Sequence, residues 1–187
     1  MKGSVGITGT PGTGKKSISK LVAVQLGLEP SSLNELAKEF RVLDPTTGEV
    51  DTDALARRLA GHGQRKDALY FGHLLPYVFG RGSLTRVVVL RCDPGVLRGR
   101  LAGRGYKPKK LIEDVEAELI GLISSDAFNA FGSARTFEYD TTYTSAEEAS
   151  LDIANSLSGR TLPRARIDWT ENYDSGPKLR LLLSTGS

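Results

Sequence analysis

The segment Gly9-Thr10-Pro11-Gly12-Thr13-Gly14-Lys15 lies between a short apolar run, Ser4 to Thr8, and a helical pattern from about Lys15 to Leu26 that Gly27 ends. A glycine-rich turn that leaves a strand and opens a helix at a lysine is the setting of the phosphate-binding loop signature. Glycines let the backbone wrap tightly and aim successive N–H groups inward. The helix N-terminus adds about half a positive charge and the lysine a full one. Such a strand–loop–helix unit restricts the chain to sheet-based α/β architectures before any other residue is read.

The remaining pattern agrees. Strand candidates recur at Ala68 to Gly72, Arg86 to Arg91 and Arg135 to Tyr139, with helical patterns at Ser32 to Phe40, Thr52 to Ala60, Pro94 to Gly103, Lys109 to Phe131 and Ser145 to Leu157. Val87 to Leu90 is apolar on both faces, as a central parallel strand or a buried helix turn would be. Asp93 before Pro94 is a cap followed by a favoured first helical residue. The alternation predicts a parallel sheet with right-handed crossovers. With 187 residues, 39% hydrophobic and 25% charged, one domain is expected, burying roughly 70% of its unfolded surface. Residues 1–158 form that domain in this reading, and 159–187 a partly flexible extension with a frayed last dozen residues.

Cys92 is the sole cysteine, so an internal disulfide, a Cys-based zinc site and an iron–sulfur cluster are excluded and a reducing compartment is expected. No apolar run approaches the roughly 20 residues that span a bilayer, and the start carries no signal-peptide pattern. The chain reads as soluble and cytoplasmic, without a membrane partner. Its net charge is only +3, yet Arg91 to Lys110 holds seven basic residues against Asp93 alone, a local excess suited to polyphosphate or RNA.

One position departs from the loop signature. The lysine is normally followed by Ser or Thr, whose hydroxyl holds Mg²⁺; here Lys16 follows, and Ser17 comes one place late. A helix turns about 100° per residue, so Ser17 reaches the metal position only if the loop shifts. Lys16 has two readings, a solvent-facing lysine or a ligand at the phosphate edge.

The chain resembles a known family through Ile7 to Lys15, Gly72-His73-Leu74, Val88 to Pro94, Leu97, Arg100-Leu101, Arg104-Gly105-Tyr106, Lys110, Glu116-Ala117-Glu118, Asp140-Thr141-Thr142 and Asp168-Trp169. It is similar to the small adenylate kinases of the nuclear and archaeal type, which double as factors in small ribosomal subunit maturation. The resemblance implies a P-loop nucleoside monophosphate kinase fold, with a five-stranded parallel sheet, a monophosphate-binding segment at about 31–53 and a short lid at about 103–114. It implies ATP with Mg²⁺, AMP as acceptor, and an ATPase side activity. As partners it implies a ribosomal protein of the small-subunit platform and contact with rRNA. Residue by residue, it places Gly9, Gly12, Thr13, Gly14, Lys15, Lys16 and Ser17 on the ATP phosphates, Ser17 also toward Mg²⁺. Lys15, His73 and Arg104 take the catalytic places, Arg104 as the lid arginine. Asn34, Asp51 and Arg57 are candidates for AMP.

A second departure lies on the third strand. The family carries an acid two places before the histidine, where this chain has Phe71, and Asp67 sits at the strand's other end. His73 therefore stands either as a residue coupled to hydrolysis or as a loop histidine, and His62, between Gly61 and Gly63, reads as inert. With Lys16 and Phe71 at metal-organising positions, slower turnover is expected. Two other readings stay open: a degenerate kinase acting as a nucleotide-dependent binding module, and a P-loop kinase for another small molecule.

Overall fold

Strands β1 (Val5–Gly9), β2 (Glu29–Ser32), β3 (Ala68–Phe71), β4 (Arg86–Arg91) and β5 (Thr136–Asp140) form one all-parallel sheet in the order β2-β3-β1-β4-β5. The computed structural model describes residues 3–61, 67–159, 163, 165–173 and 176–184, so His62 lies outside the described residues. Parallel neighbours need crossovers. These are α1 (Lys15–Leu26), α2 (Leu33–Glu39) with α3 (Thr52–Gly61), α4 (Leu75–Val78), and α5 (Pro94–Ala102) through α6 (Pro108–Leu119) to α7 (Leu122–Phe131). After β5 come α8 (Ala146–Ser158), a 3₁₀ turn at Thr170–Tyr173 and α9 (Gly176–Leu183).

Side chains alternate across the sheet with period two. Val5, Ile7, Leu69, Phe71, Val88 and Leu90 pack with α1 and α8 on one face. Ala68, Tyr70, Val87 and Val89 pack with the helices of the other. The Val87–Leu90 run is thus a central strand. Gly6 faces α4 so closely that a Cβ would stand 2.5 Å from Leu75 Cδ2.

Two expectations about the sheet and its crossovers are revised. The polar segment Glu29-Pro30-Ser31-Ser32 carries no strand pattern, yet it is an edge strand paired to β3; an edge tolerates Pro30, which has no N–H to give. The helix expected over Lys109 to Phe131 breaks at Ile120-Gly121, where Gly121 adopts φ 65°. That left-handed turn lets α7 leave α6 beside the Arg91 guanidinium, 3.4 Å from where a Cβ would sit.

The segment beyond Gly159 contributes to the core. Trp169 and Leu182 join Leu97, Leu101, Leu111, Val115 and Leu119 in a third buried cluster. Residues 176–183, expected to fray, form α9, and Arg98 donates to Leu182 O in its last turn at 3.0 Å and to Ser184 O just past its end at 2.6 Å.

The most buried charges are Arg91, Glu118 and Glu138. Arg91 Nε donates to Glu118 Oε1 at 2.7 Å and Nη1 to Glu138 Oε1 at 2.6 Å, with all three side chains at most 3% exposed. Removing the cation leaves buried Glu118 without its ion-pair partner, while Glu138 keeps Arg166 at 3.3 Å; breaking such a buried pair costs about 3–5 kcal/mol. Arg91→Ala is expected to lower unfolding stability by about that amount, measured by urea titration with Trp169 fluorescence as the probe.

Candidate active site

The phosphate loop, β3 and α2 converge at the C-terminal ends of the strands, where the sheet order turns around β1 and where open α/β sheets bind ligands. Gly9 lies so close to β4 that a Cβ would meet Leu90 O at 2.3 Å. Gly12 takes φ 94° under Leu97 and Leu101, with 2.6 Å between a Cβ and Leu97 Cδ1. No L side chain fits either place. Hydroxyls brace the loop: Thr13 Oγ1 donates to Thr10 O at 2.9 Å, Thr141 Oγ1 to Thr13 O at 3.1 Å, and Thr10 Oγ1 to Glu118 Oε2 at 2.5 Å.

A cavity of about 480 Å³ opens over this loop. Gly12, Gly14, Lys15, Lys16 and Ser17 line one wall, and Phe71, Gly72 and His73 the floor where β3 ends. Arg104 and Tyr106 come from the turn between α5 and α6, and Ser32, Asn34, Glu35 and Lys38 from the start of α2. The structure therefore brings together Lys15, Lys16, Ser17, His73 and Arg104. Gly9 and Thr13 shape the loop from behind, both buried. Of the AMP candidates only Asn34 reaches the cavity. Asp51 instead accepts from Ala54 N at 2.8 Å at the start of α3, and Arg57 is exposed on that helix.

Ser32, Glu35 and Lys38 escaped the sequence reading. Their signal was local: Ser32 caps α2 by accepting from Glu35 N, and Asn34 and Lys38, four apart, share a face. Half of the expected lid is helical, since α6 begins at Pro108; Gly103 to Lys107 forms the turn that carries Arg104.

The site's charges are held in unusual states. Lys15 Nζ folds back onto the loop, donating to Gly9 O at 2.7 Å and Thr10 O at 2.8 Å. Burial lowers its pKa to about 8, against the Glu118 and Asp114 carboxylates that favour the charged form. Burial, with Lys15 and Lys110 nearby, lowers His73 to about 4, so its imidazole is neutral at pH 7 and accepts or donates hydrogen bonds without carrying charge. Lys16 and Ser17 are exposed at the cavity wall, and Phe71 is buried where the family acid would stand.

The basic run from Arg91 to Lys110 is mostly spent on structure. Arg91 holds Glu118 and Glu138, Arg98 the end of α9, and Arg100 the carbonyls of Thr141 and Thr142, both at 2.8 Å. Lys110 pairs with Asp114 at 3.0 Å, leaving Arg104 as the guanidinium of this run that lines the cavity. Cys92 is buried, its thiol pushed up to about 11 chiefly by burial, in keeping with a packing role.

Among the described residues, no three His, Cys, Asp or Glu side chains converge to hold a metal. The hard oxygens that suit Mg²⁺ include the Ser17 hydroxyl and the Glu35 carboxylate on the cavity lining and, outside that lining, a buried Asp114 oxygen without a hydrogen-bond partner. A sparse set fits an ion that keeps several waters and arrives on phosphates. Among the described residues, no helix is long and apolar enough to cross a membrane.

Comparison with known proteins accords with this geometry. An AAA domain model matches residues 5–121. The "Putative adenylate kinase" of Thermococcus onnurineus is 37% identical over 173 residues, covering 91% of this chain and 93% of that protein. Its counterpart of the same name in Methanothermobacter thermautotrophicus is 36% identical over 170 residues, covering 88% and 95%. Among solved structures, shikimate kinase from Bacteroides thetaiotaomicron superposes with a TM-score of 0.60 at 14% identity over 84% of this chain and 98% of that one. The YorR protein of Bacillus subtilis, solved with phosphorylated GDP, gives 0.55 at 19% over 80% and 92%. At such identities the solved structures speak for the fold alone, a five-stranded parallel sheet flanked by helices in the manner of P-loop monophosphate kinases. The sequence relatives go further: this chain belongs to the archaeal-type adenylate kinase family.

Proposed function

We propose that the protein transfers the γ-phosphoryl group of ATP to AMP and, without AMP, to water. The observation that carries this reading is the single cavity that joins the phosphate loop to the polar face of α2. A donor and an acceptor fit its two ends, with Arg104 and His73 between them. Phosphoryl transfer needs little covalent chemistry from the protein; positioning and charge do most of the work.

In this reading Lys15 leaves the carbonyls of Gly9 and Thr10 for the phosphates, and the loop N–H groups at the start of α1 bind the same oxygens. Arg104 follows the charge that spreads over the transferred group, as a guanidinium fork suits. Neutral His73 orients the attacking phosphate oxygen of AMP, or water in its absence, without repelling Lys15. Mg²⁺, when bound, would neutralise phosphate charge, and Ser17 is the loop hydroxyl that would hold it once the loop shifts. Asn34 and Lys38 receive the acceptor phosphate. The family resemblance extends the reading to small ribosomal subunit maturation, with a platform ribosomal protein and rRNA as partners; the exposed Lys107 and Lys109 beside the lid turn support a contact of that kind.

The deciding experiment measures ADP formation from ATP with and without AMP. Wild type is expected to turn over faster with AMP, and Lys15→Ala to lose about 10²–10³-fold, the usual cost of one transition-state contact. ATP binding with equal inactivity of both proteins would instead favour the nucleotide-dependent binding module, for which buried Phe71 is the structural argument. A panel of phosphate acceptors on which AMP is not the best would favour another kinase.

Lys38→Ala is expected to raise the KM for AMP about tenfold while leaving AMP-independent hydrolysis near wild type. Equal loss in both assays would place Lys38 outside the acceptor site.

Lys15 supplies a pH signature. Its pKa near 8 in the free protein rises when phosphates surround it, so ATP binding takes up protons around pH 8. By linkage, affinity is full below pH 8 and declines by up to about tenfold per unit above it. Calorimetric titration in buffers of different ionisation enthalpy measures the uptake; none at pH 8 would contradict the assignment.

A further inference from the structure

Phe71 leaves the end of β3 without an acid, but α6 brings two buried carboxylates to the same region. Asp114 and Glu118 are four residues apart and share a helix face. Both oxygens of Glu118 are occupied. Its Oε2 accepts from Thr10 Oγ1 at 2.5 Å, and its Oε1 from Arg91 Nε, Cys92 N and Trp169 Nε1 at 2.7, 3.0 and 3.3 Å. Asp114, one turn nearer the lid, is only half satisfied. Its Oδ1 meets Lys110 Nζ at 3.0 Å, whereas Oδ2 is buried with no donor among the described residues, in a side chain 7% exposed. A buried carboxylate oxygen without a donor is costly and uncommon. It calls for a partner that arrives with the ligand.

The location says what that partner is. Glu118 is bonded to the phosphate loop, and the Asp114 carboxyl, pushed up by burial, is opposed in that by the charges of Lys110 and Lys15. A triphosphate on the loop thus comes near a buried carboxylate, and the two repel unless a cation stands between them. The nearby ammonium groups do not suffice: Lys110 is engaged with Asp114 Oδ1 and, at 3.7 Å, Glu113, and Lys15, which exchanges the carbonyls of Gly9 and Thr10 for the phosphates, brings a single charge against those of a triphosphate. We propose that Asp114 is the cation-organising acid of this site, standing in for the strand acid that Phe71 replaces, and that its free oxygen makes ATP binding depend on a divalent cation. Asp114 is a positioning residue here, acting through the ion and its waters rather than on the reacting atoms. The inference rests on ATP as the ligand.

The test is calorimetric binding of ATP to the full chain in Mg²⁺ and in EDTA, so that the readout is the ratio of two affinities. Wild type is expected to bind at least tenfold more tightly with Mg²⁺. Asp114→Asn is expected to shrink that ratio about tenfold, mainly by strengthening metal-free binding, because the repulsion goes with the charge. Lys110→Met leaves both Asp114 oxygens unpaired and is expected to move the ratio the other way. An Asp114→Asn ratio equal to wild type would overturn the proposal. So would a Lys110→Met ratio that is unchanged or smaller, since Asp114 would then be no more than a tether for Lys110. That second arm decides the matter alone if Asp114→Asn does not fold, as judged by its apo unfolding midpoint. Absence of ATP binding in both media would overturn this inference together with the proposed function; ATP binding with unmoved ratios would overturn the inference alone.

Discussion

Glu118 is where three distant parts of the chain meet. Through one carboxylate oxygen it accepts from Thr10 in the phosphate loop; through the other, from Arg91 and Cys92 at the end of β4 and from Trp169 in the C-terminal segment. A buried carboxylate is tolerable only when its lone pairs are filled and its charge is countered. Here Arg91 supplies the charge and also binds Glu138 and the carbonyls of Glu118 and Ile167. The loop's shape therefore depends on a cluster behind it, and not only on its own glycines. This explains why a family motif at the start of the chain is matched by less conspicuous residues near positions 91, 118 and 169.

The same arrangement sets the electrostatics. Lys15 is discharged more easily than a surface lysine because it is buried against the loop, and His73 is held neutral by burial and by two lysines. The positive charge of the free site is thus held less firmly than on the surface, and a polyanion strengthens it. Arginines do not serve this purpose along most of the basic run, because Arg91, Arg98 and Arg100 are committed to carboxylates and carbonyls. Placing fixed cations in the framework and responsive ones in the cavity separates folding from ligand binding.

Much of this was legible in the sequence because it is written in local patterns. The phosphate loop is one contiguous segment, and the sheet strands β1, β3 and β4 are apolar runs, so fold and donor site could be read together. β2 could not be read, since Glu29-Pro30-Ser31-Ser32 becomes a strand only by pairing with β3. Lys38 and Asp114 were invisible for a related reason. Each is an ordinary charged residue on a helix, and only packing brings Lys38 of α2 to the cavity and buries Asp114 of α6 within reach of the Lys15 charge. The charge run at 91–110 was legible only in part, because composition counts arginines without saying which are already bonded.

Trp169 gives the architecture a direction in time. During synthesis the phosphate loop and its strand emerge first, and Arg91 and Glu118 follow, but the indole that completes the Glu118 cluster is added more than 150 residues after Thr10. A growing chain therefore carries the whole nucleotide motif long before the bonds that brace it exist. The bracing of the loop is thus completed last, as an attribute of the nearly finished polypeptide.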